Sequence, residues 1–296
     1  MNRAVKQSRQ PLDVPALRRR LLAPEGPLNR LEWLAVTGST NTVMAENASG
    51  SAAAWPELSL LLAEEQRQGR GRMDRCWQVP TGGALTLSLL LRPAGIPVES
   101  FGWLSMMSAV AICQTLNHRA GLQAQLKWPN DVVVTDAEGT VKKISGVLAQ
   151  LVLAIGEAPA IVVGSGVNIS QLADELPTAT ATSVLVAGGT TLDRNILIED
   201  YVHRFHALYR RFLAVDGQAQ RRPSEGEPSV LEEVSELLIS LGQHVRAELP
   251  GGKFLYGTAT GLNASGALLV TDAQGSTTAV SAADVVHLRK AEGSYA

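Results

Sequence analysis

Residues 135 to 140, TDAEGT, constrain the fold more than any other stretch of the chain. Asp, Gly and small polar residues in that order are turn chemistry. The turn joins two β-rich runs, DVVV and SGVLAQLVL, across a gap too short for a crossover helix. The two runs are therefore predicted to form an antiparallel hairpin. This argues against a purely parallel, doubly wound sheet and for a mixed α+β domain.

The rest of the chain fits that class. Further β-rich runs lie at 58–65, 84–92, 145–154 and 160–168. Helical patterns lie at 41–49, 100–121 and 192–214, with Gly121 placed as a C-cap glycine. In the third helix Ile198, Val202, Phe205 and Leu208 recur three and four apart, which defines a buried stripe. Residues 1–30 read as a polar, basic N-terminal extension with one short helical stretch, LDVPALRRRLL. Residues 31–238 read as the main domain, with a polar, mobile linker at 215–228, followed by a short helix, VLEEVSELLISLG. From 239 to 290 the pattern changes to short strands broken by PGGK, NASG and AQGS, as in a small SH3-like barrel.

Composition narrows the function. A formal net charge of −2 over 296 residues gives no global pull toward nucleic acid or anionic membrane. The two cysteines, Cys76 and Cys113, are too few for a disulfide framework and suit a reducing compartment. The N-terminus has no apolar signal segment, and no apolar run is long enough to span a bilayer. The expectation is a soluble cytoplasmic protein. The five histidines show no metal-ligand spacing.

Against that neutral background the loop GRGRMDRCW, 69–77, stands out. Gly69 and Gly71 permit close backbone approach to a ligand. Arg70, Arg72 and Arg75 offer planar donor forks for phosphate or carboxylate oxygens, and Trp77 a flat face for a ring. A solvated hairpin tip would serve the same residues. Three further clusters are KWPND at 127–131, KKISG at 142–146 and GSTN at 38–41. Each has a plain reading: a strand-entry turn, solvent-facing lysines, and an N-cap in which Ser39 or Thr40 satisfies the first helical N–H groups. Each also offers donors to a polar or anionic ligand. No Walker A pattern or Rossmann fingerprint is present, so a nucleotide would bind by another scheme.

Taken in order, GSTN, AEEQRQGRGRMDRCW, KWPND, KKISGVL, GSGVN and ATSV closely resemble the biotin protein ligases. The resemblance runs over about residues 31–290, and the glycine-arginine loop with KWPND is its most specific part. It implies a catalytic domain related to class II aminoacyl-tRNA synthetases, with a mixed, mostly antiparallel sheet, plus a small C-terminal SH3-like β-barrel. It implies the substrates biotin and ATP with Mg²⁺, and a biotin carboxyl carrier domain as partner, in a monomer or homodimer. GSTN begins at residue 38, which leaves too little chain for the winged helix of the DNA-binding members, so no DNA binding is expected. By the same resemblance Ser39, Thr40, Asn41 and Gln66 meet biotin, and Gly69, Arg70, Gly71 and Arg72 cover biotin and the phosphates. Arg75, Trp77, Lys127, Asn130 and Asn168 face the nucleotide. Asp131 is implied as a Mg²⁺ ligand or as the group that orients the incoming lysine. Lys143, rather than Lys142, matches the family lysine at the carboxylate–phosphate junction. Catalysis would thus rest on Arg70, Arg72, Lys143 and Asp131.

Two positions depart from the family pattern: Asp74 stands where the loop usually has glycine, and Ser165 where isoleucine is common. The competing readings are a lipoate ligase, a non-catalytic biotin-binding regulator and a DNA-binding repressor. If Asp74 stiffens the loop, Asp74→Gly changes the half-life of bound biotinyl-AMP. Rapid dilution of the labelled complex measures it, and identical release rates would count against the idea.

Overall fold

The computed structural model describes residues 9–50, 52–77, 79–153, 158–281 and 287–290. The Asp74 side chain, and residues 154 and 282–286 of two predicted strands, lie outside the described residues. The predicted hairpin is present. β7 (Asp131–Thr135) pairs antiparallel with β8 (Val141–Val152). The turn is held as its sequence requires: Asp136 Oδ1 accepts from the Glu138 and Thr140 N–H groups, and Gly139 takes φ 80°.

Seven strands form the main sheet. The others are β1 (Arg30–Thr37), β2 (Ser59–Gln66), β5 (Ala84–Leu91), β6 (Gln125–Lys127) and β9 (Ala160–Asn168), in the order β1-β2-β5-β9-β8-β7-β6. Only β1 and β2 run parallel; every other neighbouring pair is antiparallel. β1 was not legible in the sequence, because RLEWLAVT has no clean alternation and is half-exposed at the sheet edge.

One face of this sheet carries the main core. Leu85, Leu87, Leu89 and Leu91 of β5 and Ile161, Val163 and Val167 of β9 point toward α3 (Gly102–Ala120) and α4 (Arg194–Ala214). α3 stops at Gly121, which adopts φ 68° as a left-handed cap. In α4 the predicted stripe is buried, and Tyr201, Phe205 and Tyr209 stack with centroids about 6 Å apart. The opposite face is covered at one end by α2 (Thr40–Ala48), whose Met44 and Ala48 pack on Leu61, Leu90 and Val162. Beyond α2 that face turns polar, with Thr86, Ser88, Gly164 and Gly166. This polar half becomes the site.

The N-terminal segment is integrated into the core. α1 (Val14–Leu21), capped by Asp13, buries Leu17 and Leu21 in the main cluster. The 215–228 segment is not free of packing: Val215 and Ala219 are buried, and the Ala219 carbonyl accepts from the Leu231 N–H. α5 (Val230–Leu237) then starts on a Ser229–Glu232 capping box. Five strands follow: β10 (His244–Leu249), β11 (Lys253–Leu262), β12 (Leu268–Thr271), β13 (Thr277–Val280) and β14 (His287–Lys290). They form one antiparallel sheet in the order β13-β12-β11-β10-β14. Trp128 joins the two sheets: it is 1% exposed, its indole donates to the Gly266 carbonyl, and its backbone N–H to Ser240 Oγ.

Phe205→Ala removes the middle ring of the α4 stack. It is expected to cost about 3–5 kcal/mol in urea-induced unfolding.

Candidate active site

The polar half of the sheet floors a cavity of about 450 Å³. β9 runs along its floor. A Cβ on Gly164 would lie 1.9 Å from Asn41 Oδ1, and one on Gly166 would lie 2.4 Å from the Trp77 indole. Both side chains therefore rest directly on bare backbone, and only glycine permits that approach. The walls come from α2, β2, the Gly69–Trp77 loop, the 127–131 turn, β8 and residues 177–181.

At one pole the side chains are neutral and tightly paired. Gln66 Oε1 accepts from the Thr40 N–H at 2.7 Å and from Thr40 Oγ1 at 2.9 Å. Ser88 Oγ donates to Asn41 Oδ1 at 2.6 Å, and Asn41 Nδ2 donates to the Leu148 carbonyl at 3.0 Å. This corrects the N-cap reading of GSTN: Ser39 makes no side-chain capping bond, and the Gln66 carboxamide from β2 takes the first helical N–H instead. Ser39 and Asn41 line the cavity, whereas Thr40 lies behind them at 3% exposure.

Beyond this pole the cavity is strongly cationic. Among the described residues, Arg70, Arg72, Arg75, Lys127 and Lys143 line it against one carboxylate, Asp131. Lys143 Nζ sits 2.6 Å from Asp131 Oδ1, whereas Lys142 turns to Asp136 at the hairpin tip, 3.0 Å away. The register explains the split: adjacent residues of a strand point to opposite faces. Arg72 Nη1 donates to Asn130 Oδ1 at 3.4 Å, and Asn130 Nδ2 donates to the Val147 carbonyl. Burial pushes the Arg72 guanidinium pKa down from its ordinary value, while Asp131 acts to raise it.

The glycine-arginine stretch is a small hairpin. β3 (Gly69–Arg70) pairs with β4 (Cys76–Trp77), and Met73 at its tip takes the left-handed φ 54°. Gly71 and Arg70 reach the cavity. Gly69 does not line it; a Cβ there would meet the Trp77 carbonyl at 2.3 Å, so this glycine serves the strand crossing. Asn168 lines the cavity, but its amide is engaged: Nδ2 donates to the Thr182 carbonyl and Oδ1 accepts from Gln171. Among the described residues no group of three or more His, Cys, Asp or Glu could hold a metal. The one described carboxylate, Asp131, suits Mg²⁺ only as an ion that arrives with a phosphate ligand supplying the remaining oxygens.

Trp128, Val147, Leu148, Pro177, Thr178, Thr180 and Ala181 also line the site. The sequence carried no chemical signal for Pro177, Thr178 and Thr180, because they form a plain loop that reaches the cavity only through tertiary pairing with β8.

Comparison with known proteins agrees with this geometry. Residues 33–168 match the biotin/lipoate A/B protein ligase family, and residues 240–288 the biotin protein ligase C-terminal domain. The chain is 32% identical to the biotin–[acetyl-CoA-carboxylase] ligase of Mycobacterium tuberculosis over 95% of this chain and 97% of that one. It is 30% identical to the bifunctional ligase/repressor BirA of Bacillus spizizenii over 81% of this chain and 69% of that one. In fold it resembles the Aquifex aeolicus biotin protein ligase solved with biotin and ATP, with a TM-score of 0.69, 24% identity, and coverage of 89% of this chain and 100% of that chain. The chain belongs to the biotin protein ligase family, and its two sheets are that family's catalytic and C-terminal units.

Gln66→Ala strips the acceptor from a buried N–H and a buried hydroxyl at once. Thermal and urea unfolding are expected to show a loss of about 1–3 kcal/mol.

Proposed function

We propose that the protein activates biotin with ATP and transfers it to a lysine of a biotin carboxyl carrier domain. The observation that carries this reading is the polarity of one cavity: among the described residues, a neutral amide-and-hydroxyl pole opens onto five cations and one carboxylate. Biotin combines a neutral ureido ring with a carboxylate tail, and ATP brings the phosphates. The C-terminal domain match and the M. tuberculosis relative support biotin over lipoate.

In this reading the ureido ring sits at Ser39, Asn41 and Gln66, with Thr40 holding Gln66 in place. The carboxylate then points toward Arg70, Arg72 and Lys143. A carboxylate oxygen attacks the α-phosphorus of ATP, the bond to the bridging oxygen breaks, and pyrophosphate leaves; Mg²⁺, where bound, would be held by Asp131 and the phosphates and would neutralise their charge. Biotinyl-AMP remains. The carrier lysine, as a neutral amine, attacks the acyl carbon; AMP leaves, the amide forms and a proton is released. Neither step forms a bond to the protein. Catalysis rests on position and on fixed positive charge where negative charge moves between oxygens. Lys143 is a compact charge at the junction, and Asp131 holds it there through their ion pair. Asp131 is also assigned to orient the incoming lysine. Trp77, Lys127, Arg75 and Asn130 are assigned to the nucleotide. The loop excludes water from the activated acyl phosphate.

The finer reading is a monofunctional, cytoplasmic enzyme that does not act on DNA. Its support is a net charge of −2 and a likeness over nearly all of the M. tuberculosis ligase. No helix of the described residues is long and apolar enough to cross a membrane.

Biotin-dependent ATP–pyrophosphate exchange, followed by transfer of labelled biotin to a carrier domain, tests the proposal. Lys143→Met and Arg72→Ala are each expected to lower exchange by about 10²–10³-fold and to weaken biotin binding by a smaller factor, because both meet its carboxylate. Exchange with lipoate in place of biotin, or biotin binding without exchange, would replace this reading with one of its rivals.

A further inference from the structure

We infer that Arg9 is a positioning residue for the nucleotide, acting through Glu175 on the strap of residues 170–182 that closes one end of the cavity. The inference rests on the ligase reading above. Its starting point is an unexplained expenditure of hydrogen bonds in a segment with no chemical motif. Arg9 Nε donates to Ser170 Oγ at 3.2 Å, and Nη2 donates to the Ser170 carbonyl at 2.8 Å. Nη1 and Nη2 donate to the two Glu175 carboxylate oxygens, at 3.0 and 2.5 Å. This is the fork-on-fork geometry that only arginine supplies. The Arg9 side chain is 11% exposed, so the pair is not a screened surface contact. Arg9 also holds the Glu175 carboxyl below its usual range.

The base beneath Arg9 is rigid. The Leu12 N–H donates to Glu64 Oε1 at 2.7 Å, and Glu64 pairs with the buried Arg194 at 2.7 Å. The Gly83 carbonyl accepts from the Ile169 and Ser170 N–H groups. Residues 9–12 thus tie the start of the strap to β2 and α4.

The strap needs that tie. Residues 177–180 are exposed and bury nothing of their own, yet Pro177, Thr178, Thr180 and Ala181 line the cavity. Their far end is fixed by β8: the Lys143 N–H donates to the Thr180 carbonyl at 2.7 Å, and the Thr182 N–H to the Lys143 carbonyl at 2.8 Å. Their near end is fixed by Glu175, which also accepts from the Leu172 N–H. With both ends held, the loop between them keeps one position over the site.

Its place along β9 identifies the ligand. Asn41 rests at Gly164 and Trp77 at Gly166, and the strap joins at Asn168 through Thr182. The strap therefore sits at the end opposite the Asn41–Gln66 pole, the end that the ligase reading assigns to the nucleotide.

The test is ATP–pyrophosphate exchange with ATP and biotin titrated separately. Arg9→Ala is expected to raise the KM for ATP about tenfold or more and to leave the KM for biotin within about twofold. Arg9→Lys, which keeps the charge but loses the fork, recovers only part of the defect. Glu175→Gln shifts the ATP KM in the same direction, and carries the test if Arg9→Ala does not fold. Equal rises in both KM values, or a lower Tm with an unchanged ATP KM, would overturn the inference and leave the ligase reading standing. Wild-type protein without exchange would remove that reading and the inference with it.

Discussion

The site depends on two glycines in a strand that is buried on both faces. On one side of β9, Ile161, Val163 and Val167 lock into the core under α3 and α4. On the other, Gly164 and Gly166 leave backbone bare for Asn41 and Trp77. Glycine inside a strand costs about 0.5–1 kcal/mol relative to alanine. The surrounding aliphatic packing offsets that cost many times over. Between the glycines, Ser165 turns to the core face, where its hydroxyl meets Ser108 at 2.9 Å and Ser108 in turn meets Tyr201 at 2.9 Å. That pairing accounts for a serine at a position where the family commonly has isoleucine: its hydroxyl is buried but satisfied.

The second constraint is electrostatic. Among the described residues, five cations surround one carboxylate and repel one another unless an anion arrives. The chain contains this at low cost by placing Arg70 and Arg75 on an exposed hairpin, where water screens them. Lys127 is buried, and Arg72 and Lys143 are half-buried, Arg72 near Asp131 and Asn130 and Lys143 paired with Asp131. Binding a carboxylate and a triphosphate relieves the repulsion and excludes the screening water, so each charge then acts at greater strength.

Segments that look peripheral in sequence are tied to the centre. The N-terminal residues reach the cavity strap through Arg9, and the C-terminal sheet reaches the 127–131 turn through Trp128 and Gly266. KWPND reads as a strand-entry turn with useful donors, yet its tryptophan is a core residue between two sheets.

The hairpin at TDAEGT, the capped helix ending at Gly121, the amphipathic stripe of α4 and the change of pattern after 238 were legible because each is a local signal of turn chemistry or periodicity. The motif order pointed to the family, and the spacing to Gly146 pointed to Lys143 over Lys142; in the structure strand alternation sends the two lysines to different partners. What the sequence by itself could not determine is every feature that depends on residues far apart meeting. β1 has no alternation to read, because a sheet edge imposes none. Gln66 became the cap of α2 only when β2 was laid beside it. Residues 177–181 became a cavity wall only through pairing with β8, and Arg9 became its anchor only across more than 160 residues of chain. Local physics set the elements; long-range hydrogen bonds, which leave no periodic trace in sequence, set the site.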